Sequence, residues 1–337
     1  MSDPWRKAWL AQVDEPVIDP ERAIIDPHHH LWYEYGPTPN PYLAADLFDD
    51  IKSGGHRIEQ TVYIEAQGNC HRNVGPPEMR PVGETEHALE QAIALEAAGG
   101  PRIGGIVAYA DLLRGAAIQP VIEAHIAAGQ GRFRGIRQGT AFDPAQQIGS
   151  YGPPGGPCLG DLGFRAGVEL VGKMGLTFDS WVYHPQIPDL TALARACPDT
   201  TIVFDHYGGL IGVGSYAGQR DAIFAQWRKD VAELARCPNV IAKLGGLAMP
   251  MNGFGWHEKP LPPRSDELAR AEQPYFDHAL ACFGAARAML ESNFPADKYS
   301  ASYRVTWNAL KRLAQPLSES EKEALFRGTA MRVYRLS

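Results

Sequence analysis

Eight short runs of β-branched and apolar residues recur along the chain. They are Ala23–Asp26, Gln60–Glu65, Ile103–Ala108, Phe133–Arg137, Leu176–Val182, Thr201–Asp205, Val240–Leu244 and Ala288–Glu291. Ala/Leu-rich segments with helical spacing separate most of them, most clearly Glu84–Ala98, Ile118–Ala128, Leu190–Ala196 and Asp221–Ala235. Strands alternating with helices predict parallel βαβ units. Eight such units predict an α/β fold, a closed (β/α)8 barrel in preference to an open sheet.

The connections agree with this reading. Ala97–Arg102 and Ala127–Arg132 are similar short leads into a strand, and Cys197-Pro198 and Cys237-Pro238 form a second matched pair. The strand-to-helix loops are longer and rich in Gly, Pro and aromatics: Leu31–Leu43, Gln67–Gly83, Gly139–Gly163 and Gly245–Pro263. In such a barrel these loops build the active site at the C-terminal face. The expected organisation is one barrel domain over residues 1–337, with an N-terminal extension over 1–22. Ser318 and Glu321 have capping-box spacing and Gly328 is a stop signal, so a closing helix is expected over 318–328.

The 35 Gly and 27 Pro of 337 residues exceed the usual share of about 12%, as long loops require. With 45% hydrophobic and 21% charged residues the chain has globular proportions, not those of a disordered one. The net charge of −7 offers no attraction to nucleic acid or anionic membrane. No stretch approaches the ~18 apolar residues of a membrane span, and Met1–Asp14 lacks a secretory signal's apolar segment. Five cysteines without short spacing argue against disulfides or a zinc ribbon, so a cytoplasmic location is expected. A small-molecule substrate is the expected partner. A homo-oligomer paired through outer helices is left open.

The sharpest chemical signal is Asp26-Pro27-His28-His29-His30-Leu31-Trp32, at the end of the first strand. Alternation gives His28 and His30 the same direction. At a barrel mouth, two imidazoles can share a metal ion or bind one carbonyl. His184 and His206 end the fifth and sixth runs. Asp205 and His206 are expected to face opposite ways. Lys243 ends the seventh run, where burial would make it an unusual cation. His257 lies among Phe254 and Trp256 in a long catalytic-side loop, and Trp32 with Tyr33 could form the opposite wall. The glycine-rich stretch 208–218 lacks the lysine of a P-loop. Ser215 lacks a nucleophile-elbow pattern.

These stretches, with Tyr183-His184-Pro185-Gln186, Phe204–Gly209, Lys243–Gly246 and Met289–Lys298, resemble the amidohydrolase superfamily. The resemblance falls in its amidohydrolase 2 branch of TIM-barrel, metal-dependent hydrolases, home of sugar lactonases and pyrone-dicarboxylate lactonase. It implies a substrate or metal site at His28 and His30, joined by His184 and His206, with Arg137 holding a substrate carboxylate or hydroxyl. Tyr183, Lys243, His257, Trp32 and Asn293 complete the expected substrate contacts. The implied cofactor is a divalent metal, zinc or manganese, on His28, His30 and His184, and a metal-free site is the alternative.

One position departs from the family pattern. The Asp expected after the eighth strand, in a Ser-Asp-Trp-Pro context, is replaced in Ser292-Asn293-Phe294-Pro295. An amide cannot take a proton from water at neutral pH. The general base is then expected to be Asp297, Glu65 or His206. The leading expectation is a hydrolase opening a lactone or similar cyclic ester of a small polar acid or sugar acid. A decarboxylase or hydratase of an aromatic or unsaturated acid is second, and an inactive binding barrel third.

Overall fold

The computed structural model describes residues 4–34, 41–66, 70–144, 148, 151–152 and 156–337. Parts of three expected catalytic-side loops, at 35–40, 67–69, 145–147, 149–150 and 153–155, lie outside them. The strands are β1 (Ile24–His29), β2 (Ile58–Ile64), β3 (Arg102–Ala108), β4 (Phe133–Arg137), β5 (Thr177–Ser180), β6 (Ile202–Phe204), β7 (Val240–Leu244) and β8 (Ala288–Leu290). All seven neighbouring pairs are parallel and follow chain order. The ring is drawn together where Phe294 O, just past β8, accepts from His30 N at 2.8 Å. A helix follows each strand, from Ala44–Gly54 after β1 to Tyr303–Leu313 after β8. The architecture is therefore a (β/α)8 barrel. None of the described helices is long and apolar enough to cross a membrane.

Two apolar layers follow from the period-2 alternation of strand side chains. Ile24 packs outward into the strand–helix core, and its neighbour Ile25 packs inward with Val62, Val107, Val203, Ile241 and Met289. The C-terminal segment joins the inner layer through Val333, Tyr334 and Leu336. Ser318 does cap a helix: its N–H donates to Glu321 Oε2 at 2.9 Å. Gly328 is not the stop, because its φ of −63° is helical and helix continues to Val333.

The seam between β1 and β8 is tied by Asp26. Its carboxylate accepts from Ser292 N at 3.0 Å, Ser292 Oγ at 2.6 Å and Tyr303 Oη at 2.8 Å. Burial pushes this carboxyl up to about 6, against the pull of those hydrogen bonds. At the N-terminus, the helix Pro4–Leu10 lies against catalytic-side loops: Trp9 Nε1 donates to Lys259 O at 3.0 Å, and Arg6 Nη1 to Tyr299 O at 2.9 Å. The five cysteines form no disulfide with one another, and four of them are buried.

Candidate active site

Strict alternation from Ile25 would turn His29 inward. Instead three steps of β1, Asp26 to His29, pair with two steps of β2, Thr61 to Tyr63. This bulge falls at Pro27, which has no N–H to give the ladder. It reverses the parity, so His28 and His30 share the mouth and their Nε2 atoms lie 3.1 Å apart. His29 faces away, its Nε2 2.9 Å from Thr61 Oγ1. His30 Nδ1 donates to Ile64 O at 2.9 Å, which leaves a lone pair on its Nε2.

The sixth strand breaks alternation in a different way. It ends at Phe204, and His206 and Tyr207 both have φ of +53°. Consecutive side chains therefore both reach the mouth, correcting the expectation that Asp205 faces away. Asp205 Oδ1 lies 3.2 Å from Lys243 Nζ, and Oδ2 lies 3.5 Å from Arg137 Nη1. His206 Nδ1 lies 2.7 Å from Glu291 Oε1. Close backbone approach makes room for this pair. A Cβ on Gly246, whose φ is +77°, would sit 2.5 Å from His206 Nδ1, and one on Gly245 would sit 2.7 Å from Glu291 Cγ. Gly246→Ala is therefore expected to dislodge His206 and to lower turnover by about 10²-fold, the effect of an ångström-scale misplacement. Steady-state kinetics and a melting curve test this, and an unchanged rate would mean that His206's position is immaterial.

Arg137, the last residue of β4, donates from Nε to Glu65 Oε1 at 2.9 Å and from Nη2 to Glu65 O at 2.7 Å. Burial pushes the Glu65 carboxyl up to about 7, while Arg137 pulls it down. Lys243 is wholly buried beneath the mouth, 2.9 Å from Asp179 Oδ2 and 3.1 Å from His28 Nδ1. Burial disfavours its charge, but Asp179, Asp205 and Glu291 outweigh burial and raise its pKa. Lys243 does not line the cavity, so the structure assigns it a supporting place and not the expected substrate contact.

Four carboxylates (Glu65, Asp179, Asp205 and Glu291) thus face the two fixed cations Arg137 and Lys243. The excess is negative. Glu291 Oε2 and both Asp205 oxygens are buried with ion-pair contacts but no hydrogen bond of ordinary geometry. His28 Nδ1 lies 3.0 Å from Glu291 Oε2. Burial, aided by Lys243, holds the His28 imidazole neutral with a pKa well below its usual value. The same Nδ1 lies 3.1 Å from the Lys243 ammonium, and Nε2 lies 3.4 Å from Arg137 Nη1. Among the described residues, ligand atoms of His28, His206 and Glu291 lie within 4.8 Å of one another. Two imidazoles and a carboxylate suit zinc or a similar divalent ion, so the residues present fit the implied metal. Of the expected ligands His28, His30 and His184, only His28 belongs to this cluster, and His206 and Glu291 take the other two places.

His184 stands apart because the chain turns into a short helix at His184–Gln186. Its Nδ1 accepts from Ile211 N at 3.2 Å and its ring meets the edge of Tyr216. Asp297 is also drawn elsewhere. The loop folds back, but the carboxylate accepts from Asn293 Nδ2 at 2.8 Å and Ala248 N at 3.1 Å. Burial holds its pKa far above the ordinary carboxylate range. It orients Asn293 and does not line the cavity. His257 is half-buried on the rim, 3.6 Å from Glu258 Oε1, and also does not line the cavity.

The cavity above this floor measures about 300 Å3. His30, Arg137, His206 and Asn293 reach it from strand ends, while Trp32 and Tyr183 reach it from loops. Reasoning from sequence missed Asp179, Asp205 and Glu291. Their one signal was a carboxylate at or next to the end of an otherwise apolar barrel strand.

Imidazoles and carboxylates converge at the C-terminal mouth of a (β/α)8 barrel, the face on which enzymes of this fold carry their active sites. The chain belongs to the amidohydrolase family, whose model matches residues 25–336. An uncharacterised protein of Sinorhizobium fredii, y4mH, is 32% identical over 93% of this chain and 99% of its own. An L-fucono-1,5-lactonase of Burkholderia multivorans is 27% identical over 93% of this chain and 96% of its own. A crystal structure of a zinc-bound amidohydrolase from Burkholderia multivorans superposes with a TM-score of 0.70 at 26% identity, covering 94% of this chain and 100% of that one.

Proposed function

We propose that this protein is a metal-assisted hydrolase that opens a lactone or similar cyclic ester. The observation that carries the reading is the convergence of His28, His206 and Glu291 at the base of a cavity lined by His206 and Arg137, with His28 and Glu291 buried beneath it. The lactonase named among its relatives agrees with it. In the reaction, the oxygen of water bonds to the ring carbonyl carbon, the ring C–O bond breaks, and the ring oxygen leaves with a proton.

A divalent ion held by His28, His206 and Glu291 would supply Lewis acidity and a more acidic water. The chain's own residues do the rest. Arg137, clamped by Glu65, presents its guanidinium to a carbonyl or carboxylate of the substrate. His30 is kept neutral by burial and has Nδ1 engaged with Ile64 O, so its Nε2, 3.1 Å from His28 Nε2, presents a lone pair to the site. Asn293 has Nδ2 committed to Asp297, so it serves as an oriented amide and not as a base.

Proton release from γ- and δ-lactones in weak buffer tests the reading. Activity is expected to vanish after chelation and to return with zinc or manganese. Carbon dioxide release from aromatic acids, without ring opening, would overturn it in favour of a lyase.

A further inference from the structure

The polar and apolar parts of the cavity are segregated. Its ionisable and amide groups, His30, Arg137, His206 and Asn293, stand at or just past strand ends and crowd the floor, while the described walls carry only the hydroxyls of Tyr151, Tyr183 and Tyr299 and the indole N–H groups of Trp32 and Trp181. The loops contribute a different chemistry. Tyr151, Trp181 and Tyr183 form a contiguous aromatic wall, with ring centroids 4.6 Å and 6.0 Å apart in succession. Met249, Pro250 and Met251 give a run of three apolar contacts from the loop after β7. Beyond the floor, the described walls offer no charged or amide side chain.

A polyhydroxylated ring needs a partner for each hydroxyl it takes out of water, and an unpartnered one is costly. A flat apolar body needs only surface of matching shape, which stacked aromatics and thioethers provide. About 300 Å3 lies at the small end of ligand cavities, room for one or two rings.

We infer that the substrate is an amphiphilic lactone: a polar ester head on the floor and a flat aromatic or alkyl body against the Tyr151–Trp181–Tyr183 and Met249–Met251 walls, not a sugar lactone. The inference rests on the lactone-hydrolase reading above and narrows its substrate class.

Two six-membered lactones separate the classes: dihydrocoumarin, with a fused aryl body, and glucono-1,5-lactone, with hydroxyls in its place. The zinc-loaded protein is expected to show kcat/KM at least about 10²-fold higher for dihydrocoumarin, the discrimination an apolar pocket exerts against a hydroxyl. Trp181→Ala should raise KM for dihydrocoumarin by a larger factor than KM for glucono-1,5-lactone, and an equal effect on both would overturn the inference. A preference for glucono-1,5-lactone would overturn the inference and leave the hydrolase reading intact. If neither ring opens, the hydrolase reading fails, and calorimetry with the ring-opened acids decides the cavity's preference. Tighter binding of 3-(2-hydroxyphenyl)propionate than of gluconate upholds the amphiphilic site. Equal or weaker binding overturns it.

Discussion

Glu291→Gln is expected to lower kcat/KM by about 10³-fold, within the range for loss of a group acting at the reacting centre, and to leave the fold intact. The substitution keeps the side chain's shape. It keeps one oxygen that can accept from His206 Nδ1, now 2.7 Å from Oε1. It removes the charge from a floor where carboxylates outnumber fixed cations, and it puts an amide where a carboxylate oxygen lies 3.0 Å from His28 Nδ1. An amide is a weak metal ligand beside a carboxylate, so bound metal should fall with activity. Stability should move the other way. Relieving a buried like-charge cluster without its counter-ion should hold or raise the metal-free protein's urea midpoint. Elemental analysis, kinetics and urea unfolding on one preparation test all three outcomes. Activity within tenfold of the parent would remove Glu291 from the active site.

That residue also marks where the sequence stops being readable. The eight apolar runs correspond to the eight strands because a barrel strand is buried on both faces, and that leaves a continuous apolar signature. The shared direction of His28 and His30 was legible because they are two residues apart. Their absolute direction was not, because the bulge at Pro27 resets the count from Ile25. At the sixth strand, the left-handed conformations of His206 and Tyr207 bring Asp205 and His206 to the same space. Periodicity has no term for that. Glu291 ended an apolar run and carried no motif, so nothing local separated it from an ordinary strand terminus. His184 and Asp297 were misplaced for one reason: each lies past its strand, where loop geometry and not alternation sets direction. Asp297 still bears on the site through Asn293.

Lys243→Met should cost about 3–5 kcal/mol of stability, as expected when one partner of a buried ion pair is removed. The ammonium lies between Asp179 and Asp205, 2.9 Å and 3.2 Å away, and all three side chains are sealed from solvent. Methionine fills much the same volume, so the loss is electrostatic and not a cavity effect. Thr177 Oγ1 and Tyr334 Oη still donate to Asp179, but Asp205 keeps Arg137 at 3.5 Å and His28 Nδ1 at 3.7 Å. The pH dependence identifies the cause. Burial already raises the Asp179 pKa against the pull of Lys243. Without the ammonium it should rise further, and Asp205, which Lys243, His206 and Arg137 now hold down against burial, should rise too. Groups with folded pKa values above the unfolded value of about 3.9 bind protons preferentially in the folded state. The variant should therefore be more stable near pH 5 than near pH 8, losing stability as pH rises through the raised values. Adding Asp179→Asn to Lys243→Met should recover at least half the loss, because it removes a charge that the lysine had compensated. Urea unfolding of the single and double variants at both pH values measures this. A loss below about 1 kcal/mol, or one insensitive to pH, would mean that the lysine is not what keeps these carboxylates charged beneath His28. The floor's negative excess, and with it the case for a cation at His28, His206 and Glu291, would then have to rest on Glu65 and Glu291 alone.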